Sequence, residues 1–190
     1  MTIVISIERL LTKRAMKKRN ETRAQRYEKK KQHAKTLPIS LCSVNFMFND
    51  NLGYLIRSAA CFGAKDVHVI GHVPERKDLN SKSGSLYDYV KIIQHDNPSS
   101  FLDFAKSNDV QLVSAEITEN STSVFSYTFN FSRNIFLVVG QEEYGVPIDI
   151  LRNSDIIHIP MNGIGYCLNT SQAANIIMYE AARQYSETHL

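Results

Sequence analysis

The sequence predicts an α/β fold whose parallel β-sheet is covered on both faces by helices. Three observations carry that expectation: short runs that are apolar almost throughout, helical-period segments between them, and turn-forming residues where one gives way to the other. ISLCSVNF (39–46) reads as the first buried strand. Asn51 is a candidate N-cap for a helix ending at Phe62, with Leu52, Leu55, Ile56 and Ala59 on one stripe and Gly63 as the stop. DVHVIG (66–71) and YVKII (89–93) are the next strands, 99–107 a short helix and VQLVSA (110–115) the fourth strand. NIFLVVG (134–140), the most apolar strand, runs into the loop GQEEYG, after which Pro147 suits the first position of a short helix. DIIHIP (155–160) is the sixth strand. A loop then leads to a final helix over 171–186, for which Thr170 or Ser171 is the expected N-cap.

At 190 residues, 43% hydrophobic and 22% charged, the chain has the composition of one compact domain, or at most two small ones. Disordered and collagen-like classes are excluded. No run approaches the ~18 apolar residues of a membrane span, so no membrane association is expected. Glu8 and Arg9 interrupt the apolar start MTIVISIERLLTKR, which argues against a signal peptide. Three widely spaced cysteines, Cys42, Cys61 and Cys167, suggest neither a disulfide framework nor a zinc site. A cytoplasmic, reducing setting is expected.

Charge is distributed unevenly. Residues 8–35 hold twelve Lys or Arg against three Glu, while the whole chain has 22 against 19. A mildly acidic body therefore carries a basic arm, which points to an anionic partner, most commonly a nucleic acid such as RNA, although a solubilising tail has the same composition. The arm lacks Gly and Pro and can be helical; its apolar residues Leu10, Leu11, Ala15 and Met16 lie near its start, and beyond Arg19 only a solvated helix is expected. Pro38 marks the change, giving a basic extension over 1–36 and a main domain over 37–190.

In an open parallel sheet, ligands bind beyond the carboxyl ends of the strands. The Gly- and Asn-rich loops after 134–140 and 155–160 are therefore the loops of interest. Neither GxGxxG nor GxxxxGK[ST] is present, which argues against a dinucleotide site or a P-loop, and there is no GxSxG nucleophile elbow. The six histidines form no HExxH or ligand cluster, so no metal is expected, and His158 reads as a packed or hydrogen-bonded core residue.

Three segments remain: N51-L-G-Y-L-I-R57 running to F62-G63, then G140-Q-E142-E-Y-G145, then I159-P-M161-N-G163-I-G-Y-C167-L-N169-T-S171-Q-A. In this order they resemble the three motifs of the SpoU/TrmH-like branch of the SPOUT RNA methyltransferases, whose pattern is NxGxxxR…FG, G[NS]ExxG and IPMxGxxxSLNxSxA. The resemblance covers about residues 37–188 and leaves the arm outside. It implies a parallel-sheet SPOUT fold with a C-terminal trefoil knot, S-adenosylmethionine as cofactor, a homodimer, and methylation of a ribose 2′-hydroxyl in tRNA or rRNA. A catalytically weak RNA-binding protein on the same fold is the alternative.

The resemblance assigns Arg57, Asn51, Glu142 and Asn169 to the catalytic side. Arg57 lies roughly 140° around its helix from Leu52, off the apolar stripe, as a solvated arginine would also be. Guanidinium is a very poor base. Phosphate anchoring and alkoxide stabilisation suit it better, worth about 3–4 kcal/mol if it resembles an oxyanion-hole donor. Asn51 can cap its helix, and Glu142 can position substrate or Arg57. Asn169 can position substrate or fix its loop. Backbone groups of Gly140, Ile159, Met161 and Leu168 are expected around the cofactor, with Cys167 beside them and Glu116, just past a strand, as a further candidate. Gly163 and Gly165 are expected to let the backbone turn sharply toward a ligand. Two departures stand out: Gln141 where the family has Asn or Ser, and Cys167 where it has Ser. Small residues on the last helix (Ala173, Ala174, Ala181, Ala182) allow close packing on the sheet or across a dimer.

Overall fold

The computed structural model describes residues 21–189. Two compact units divide the chain, Met1–Lys35 and Thr36–Leu190. In the first, helix α1 (Arg23–Lys31) is started by a capping box: Thr22 Oγ1 accepts from the Gln25 amide at 3.2 Å and the Gln25 side chain accepts from the Thr22 amide at 2.9 Å. None of its residues is buried, and Lys29, Lys30 and Lys31 occupy its last turn, where cations suit the helix dipole. The expected apolar positions Leu10, Leu11, Ala15 and Met16 lie outside the described residues.

The second unit is the predicted α/β sandwich. Seven strands form one sheet in the order β3-β2-β1-β6-β4-β7-β5, every neighbouring pair parallel. They are β1 (Ile39–Val44), β2 (Val67–Ile70), β3 (Ile92–His95), β4 (Gln111–Ala115), β5 (Thr122–Ser123), β6 (Ile135–Val139) and β7 (Asp155–His158). Between them run α2 (Asn49–Phe62), α3 (Arg76–Asn80), α4 (Pro98–Ser107) and α5 (Ile148–Leu151), and α6 (Thr170–Thr188) closes the chain. The doubly apolar strands are explained by two separate cores. Ile39, Leu41, Ile135, Leu137 and Val139 face α2 and α6, while Cys42, Val44, Phe136 and Val138 face α4 and α5. Both faces are covered, so both residue sets of each strand are apolar.

Four expectations need correction. The strand expected at 89–93 begins at Ile92, because a 3-10 turn over Tyr87–Tyr89 takes the first residues of that run. Pro147 is the N-cap of α5 rather than its first helical residue. Asn51 does not cap α2, which begins at Asn49 with Phe48 in the cap position. Neither Thr170 nor Ser171 caps α6; Asn169 does, accepting from the amides of Ser171 at 3.0 Å and Gln172 at 3.3 Å. The two-residue β5 and five-residue α3 were not anticipated, being too short to establish a period. Gly63 ends α2 as expected, in the left-handed conformation at φ 77°.

Ala174 and Ala181 are fully buried, so these two small residues serve packing on the sheet. A histidine pair lies inside the second core. His68 Nδ1 and His95 Nε2 are 2.7 Å apart, and His68 Nε2 lies 3.1 Å from Asp66 Oδ1. Phe101, Phe104 and Phe136 surround the pair. Each ring satisfies the other, which lets polar residues occupy an otherwise apolar strand pair.

Candidate active site

The carboxyl ends of the adjacent strands β1, β6, β4 and β7 lead into the loops 45–48, 140–147, 116–121 and 159–169. A cavity of about 530 Å³ opens among those ends, as the sheet rule requires. Its apolar wall is formed by Ala115, Val139, Ile157, Ile159, Leu168 and Ile177, and its polar side by Asn51, Glu116, Glu142, Glu143 and Asn169.

The turn after β6 is held in place by its own residues. The backbones of Gln141 and Gly145 bond each other in both directions, at 3.1 and 2.9 Å. A side chain at Gly140 would put its Cβ 2.1 Å from the Gly145 carbonyl carbon, so the closure requires glycine there. Gly145 has φ +66°, and a Cβ on it would meet Glu116 Oε2 at 2.3 Å. Glu116 needs that space because its Oε2 accepts from the Val146 amide at 3.0 Å, tying the end of β4 to the turn. The Gln141 side-chain oxygen accepts from the amides of Glu143 at 2.6 Å and Tyr144 at 2.7 Å. Gln141 thus performs the capping of this turn that a shorter polar residue could supply.

A polar chain joins the three motif segments. Asn169 Nδ2 donates to Asn51 Oδ1 at 3.0 Å, and Asn51 Nδ2 donates to Glu142 Oε1 at 2.5 Å. Glu142 accepts in addition from the backbone amides of Met47 at 2.8 Å and Phe48 at 3.4 Å. This explains the misplaced cap: α2 takes its acceptor from Glu142, on another loop, so the asparagine is released to act as a bridge. The carboxylate also suits the positive end of the helix dipole. Burial opposes the charge on Glu142, but the Met47 amide, the Asn51 side chain and the Phe48 amide outweigh it and hold the carboxyl below its ordinary range. The third segment is tied in again by Thr170, whose hydroxyl donates to the Gly140 carbonyl at 2.9 Å.

With this geometry in place, comparison with known proteins decides the family. The profile of the SpoU rRNA Methylase family matches residues 38–179, most of the chain. The chain belongs to the SpoU rRNA Methylase family. It is 25% identical over 148 residues to the tRNA (guanosine(18)-2′-O)-methyltransferase of Escherichia coli (strain K12), an alignment covering 77% of this chain and 63% of that protein. Among solved structures, the A. aeolicus TrmH/SpoU tRNA modifying enzyme superposes with a TM-score of 0.73 at 25% identity, covering 85% of each chain. The SpoU methyltransferase AviRb from Streptomyces viridochromogenes, solved in complex with the cofactor AdoMet, superposes at 0.67 with 27% identity, over 77% of this chain and 57% of that one. The chain thus spans under two thirds of the length of its E. coli relative.

Nine of the ten site residues expected from the sequence line the cavity: Asn51, Glu116, Gly140, Glu142, Ile159, Met161, Cys167, Leu168 and Asn169. Arg57 does not. It is exposed on α2, its guanidinium near Gly84, where a Cβ would lie 3.5 Å from Arg57 Nε. Asn169 fixes its loop and caps α6. The chain bends at Gly163 and Ile164, although neither Gly163 nor Gly165 adopts positive φ, and a Cβ on either would meet nothing within 4 Å. No part of the described chain itself demands these two glycines. The Cys167 thiol is exposed and makes no hydrogen bond among the described residues.

Cavity residues missed in the sequence include Phe48, Thr170 and His158. His158 is hydrogen-bonded as expected, Nδ1 lying 3.0 Å from Ser121 Oγ, yet it also reaches the cavity. Its position at the end of β7 was the available signal. Among the described residues no helix is long and apolar enough to cross a membrane, and no His, Cys, Asp and Glu group could hold a metal ion.

Proposed function

We infer that this chain is an S-adenosylmethionine-dependent methyltransferase acting on a ribose 2′-hydroxyl of tRNA or rRNA. The observation that carries this reading is the Asn169–Asn51–Glu142 chain, which gathers all three SpoU motif segments around one cavity. The residues present fit the cofactor. Apolar Ile157, Ile159, Leu168 and Ile177 suit an adenine ring, and Glu116, Glu142 and Glu143 supply negative charge toward a cation. The open space over Gly163 and Gly165 leaves room for a ligand that the chain does not fill. When bound, S-adenosylmethionine supplies an electrophilic methyl group on a sulfonium.

The chain's residues would then orient and stabilise. Glu142, held ionised, is a poor base, so its role is to fix Asn51 and the start of α2. Arg57, exposed and outside the cavity wall, suits the anchoring of a substrate phosphate beside the reacting ribose. Asn51 and Asn169 each retain a second amide hydrogen for substrate. The basic arm would recruit RNA electrostatically.

A homodimer belongs to the same proposal and draws support from Ile176 and Tyr179, large apolar residues exposed on α6. The threading of the C-terminal segment and a cytoplasmic location are further parts of it. Methyl transfer from labelled cofactor to pooled tRNA and rRNA, followed by digestion and mass spectrometry, tests the whole. Label on ribose, lost in Arg57→Ala, is the expected result; label on a base, or none on any RNA, rejects it.

A further inference from the structure

Phe48 breaks a local rule. The position before the first turn of a helix favours Ser, Thr, Asp or Asn, whose side chains bond the free amides. Asn49 and Asp50 follow immediately and are residues of that type, yet the helix begins one residue earlier, with phenylalanine in the cap position and no side-chain cap bond. The capping carboxylate comes instead from Glu142, 94 residues away, which accepts from the Phe48 amide. The aromatic ring is left 60% exposed while lining the cavity. Phe46, two residues earlier, packs against the core, whereas Phe48 is turned outward. Local rules are broken where function requires it.

The geometry points to Phe48 as the residue that stacks on the nucleobase of the nucleotide whose ribose is methylated, a proposal resting on the RNA methyltransferase reading above. The rim beside it carries Glu142 and Glu143, so a phosphate is repelled there, whereas the uncharged face of a base is not. An exposed ring offers every base a π-face, and aromatic stacking holds unpaired nucleotides without sequence preference. Hydrogen bonds at the Met47 and Phe48 amides fix the backbone under the ring, so little entropy is lost on stacking.

The chain contains no tryptophan, so Phe48→Trp installs a single indole reporter. Its emission should be quenched by the RNA fraction that the wild type methylates, and not by S-adenosylmethionine alone. Phe48→Ala should raise KM for that RNA about 5- to 150-fold, with cofactor Kd unchanged and with Phe48→Tyr restoring KM. Phe125→Ala, at a still more exposed aromatic outside the cavity wall, should leave both constants unchanged. An unmoved indole signal under turnover overturns the proposal, as does quenching by cofactor alone or parallel loss of cofactor affinity in Phe48→Ala. Failure of the wild type to methylate any RNA is visible before any variant is made, and removes the underlying reading and this proposal together.

Discussion

The side-chain amide of Asn169 donates to the side-chain oxygen of Asn51 at 3.0 Å across 118 positions of sequence. Asn51, expected to cap α2, is instead the partner of Asn169, which caps α6. Asn51 passes the connection to Glu142, so one hydrogen-bonded chain joins the start of α2, the turn after β6 and the start of α6.

Asn51→Ala removes a donor to Glu142 and an acceptor for Asn169 in a single step. Losing these two part-buried bonds should together cost about 1–3 kcal/mol. Urea denaturation should show the lower midpoint with an unchanged slope, and calorimetry should show weaker cofactor binding.

Stability should fall in acid in two steps. His95 is held below its ordinary 6.5 by burial and by the facing His68, only partly offset by Asp96; Asp66 is the other charged group in contact with that pair. The unfolded chain therefore binds a proton near pH 6.5 that the fold resists, and stability declines as pH drops below that value. Glu142, also depressed, contributes stability that is present above its ordinary 4.5 and lost as pH falls through its lower folded value. Thermal melts across pH should show both limbs, with His95→Gln flattening the upper and Glu142→Gln the lower.

Two glycines in the motif segments should respond oppositely to alanine. Gly140→Ala drives a Cβ into the Gly145 and Val146 backbone, which cannot rotate away, and should cost at least about 1–3 kcal/mol. Gly163→Ala meets nothing within 4 Å and should change stability by less than about 0.5 kcal/mol, while weakening cofactor binding if the space above it is occupied. Denaturation and calorimetry on the pair separate folding from binding.

Deleting residues 1–35 removes the compact basic unit and its twelve Lys and Arg. RNA affinity should fall and its salt dependence become shallower. The log–log slope should drop by about 0.7–0.9 for each phosphate that the arm no longer neutralises. Cofactor affinity should be retained. Filter binding over a salt series measures the change, and an unaltered slope would remove the arm from RNA recognition.

The legible parts of this molecule are those specified by neighbouring residues. β1 and β6 showed in the sequence because both faces of each strand are apolar, and Gly63 showed as a helix stop because few residues tolerate its φ. The motif spacings led to eight cavity residues, and the end of β4 to a ninth, Glu116, since a parallel sheet binds its ligand beyond the carboxyl ends of its strands. Phe48 was not legible: an aromatic before a helix carries no local signal, and its meaning depends on a carboxylate 94 residues away. The cap expected at Asn51 was misread for the same reason, because propensity ranks the residues at hand and cannot count a distant acceptor; Asn169, by contrast, caps α6 through amides two and three residues on, so that miss was one of position along the chain.

By itself, then, the sequence determined the doubly covered parallel sheet and the basic arm, because apolar periodicity and charge are local properties of the chain. Tertiary structure alone decided that Glu142 would start α2, that Asn51 and Asn169 would join, and that Arg57 would stay outside the cavity wall. Hydrogen bonds act over about 3 Å, so which groups come within that reach is settled only when the strand ends are brought side by side.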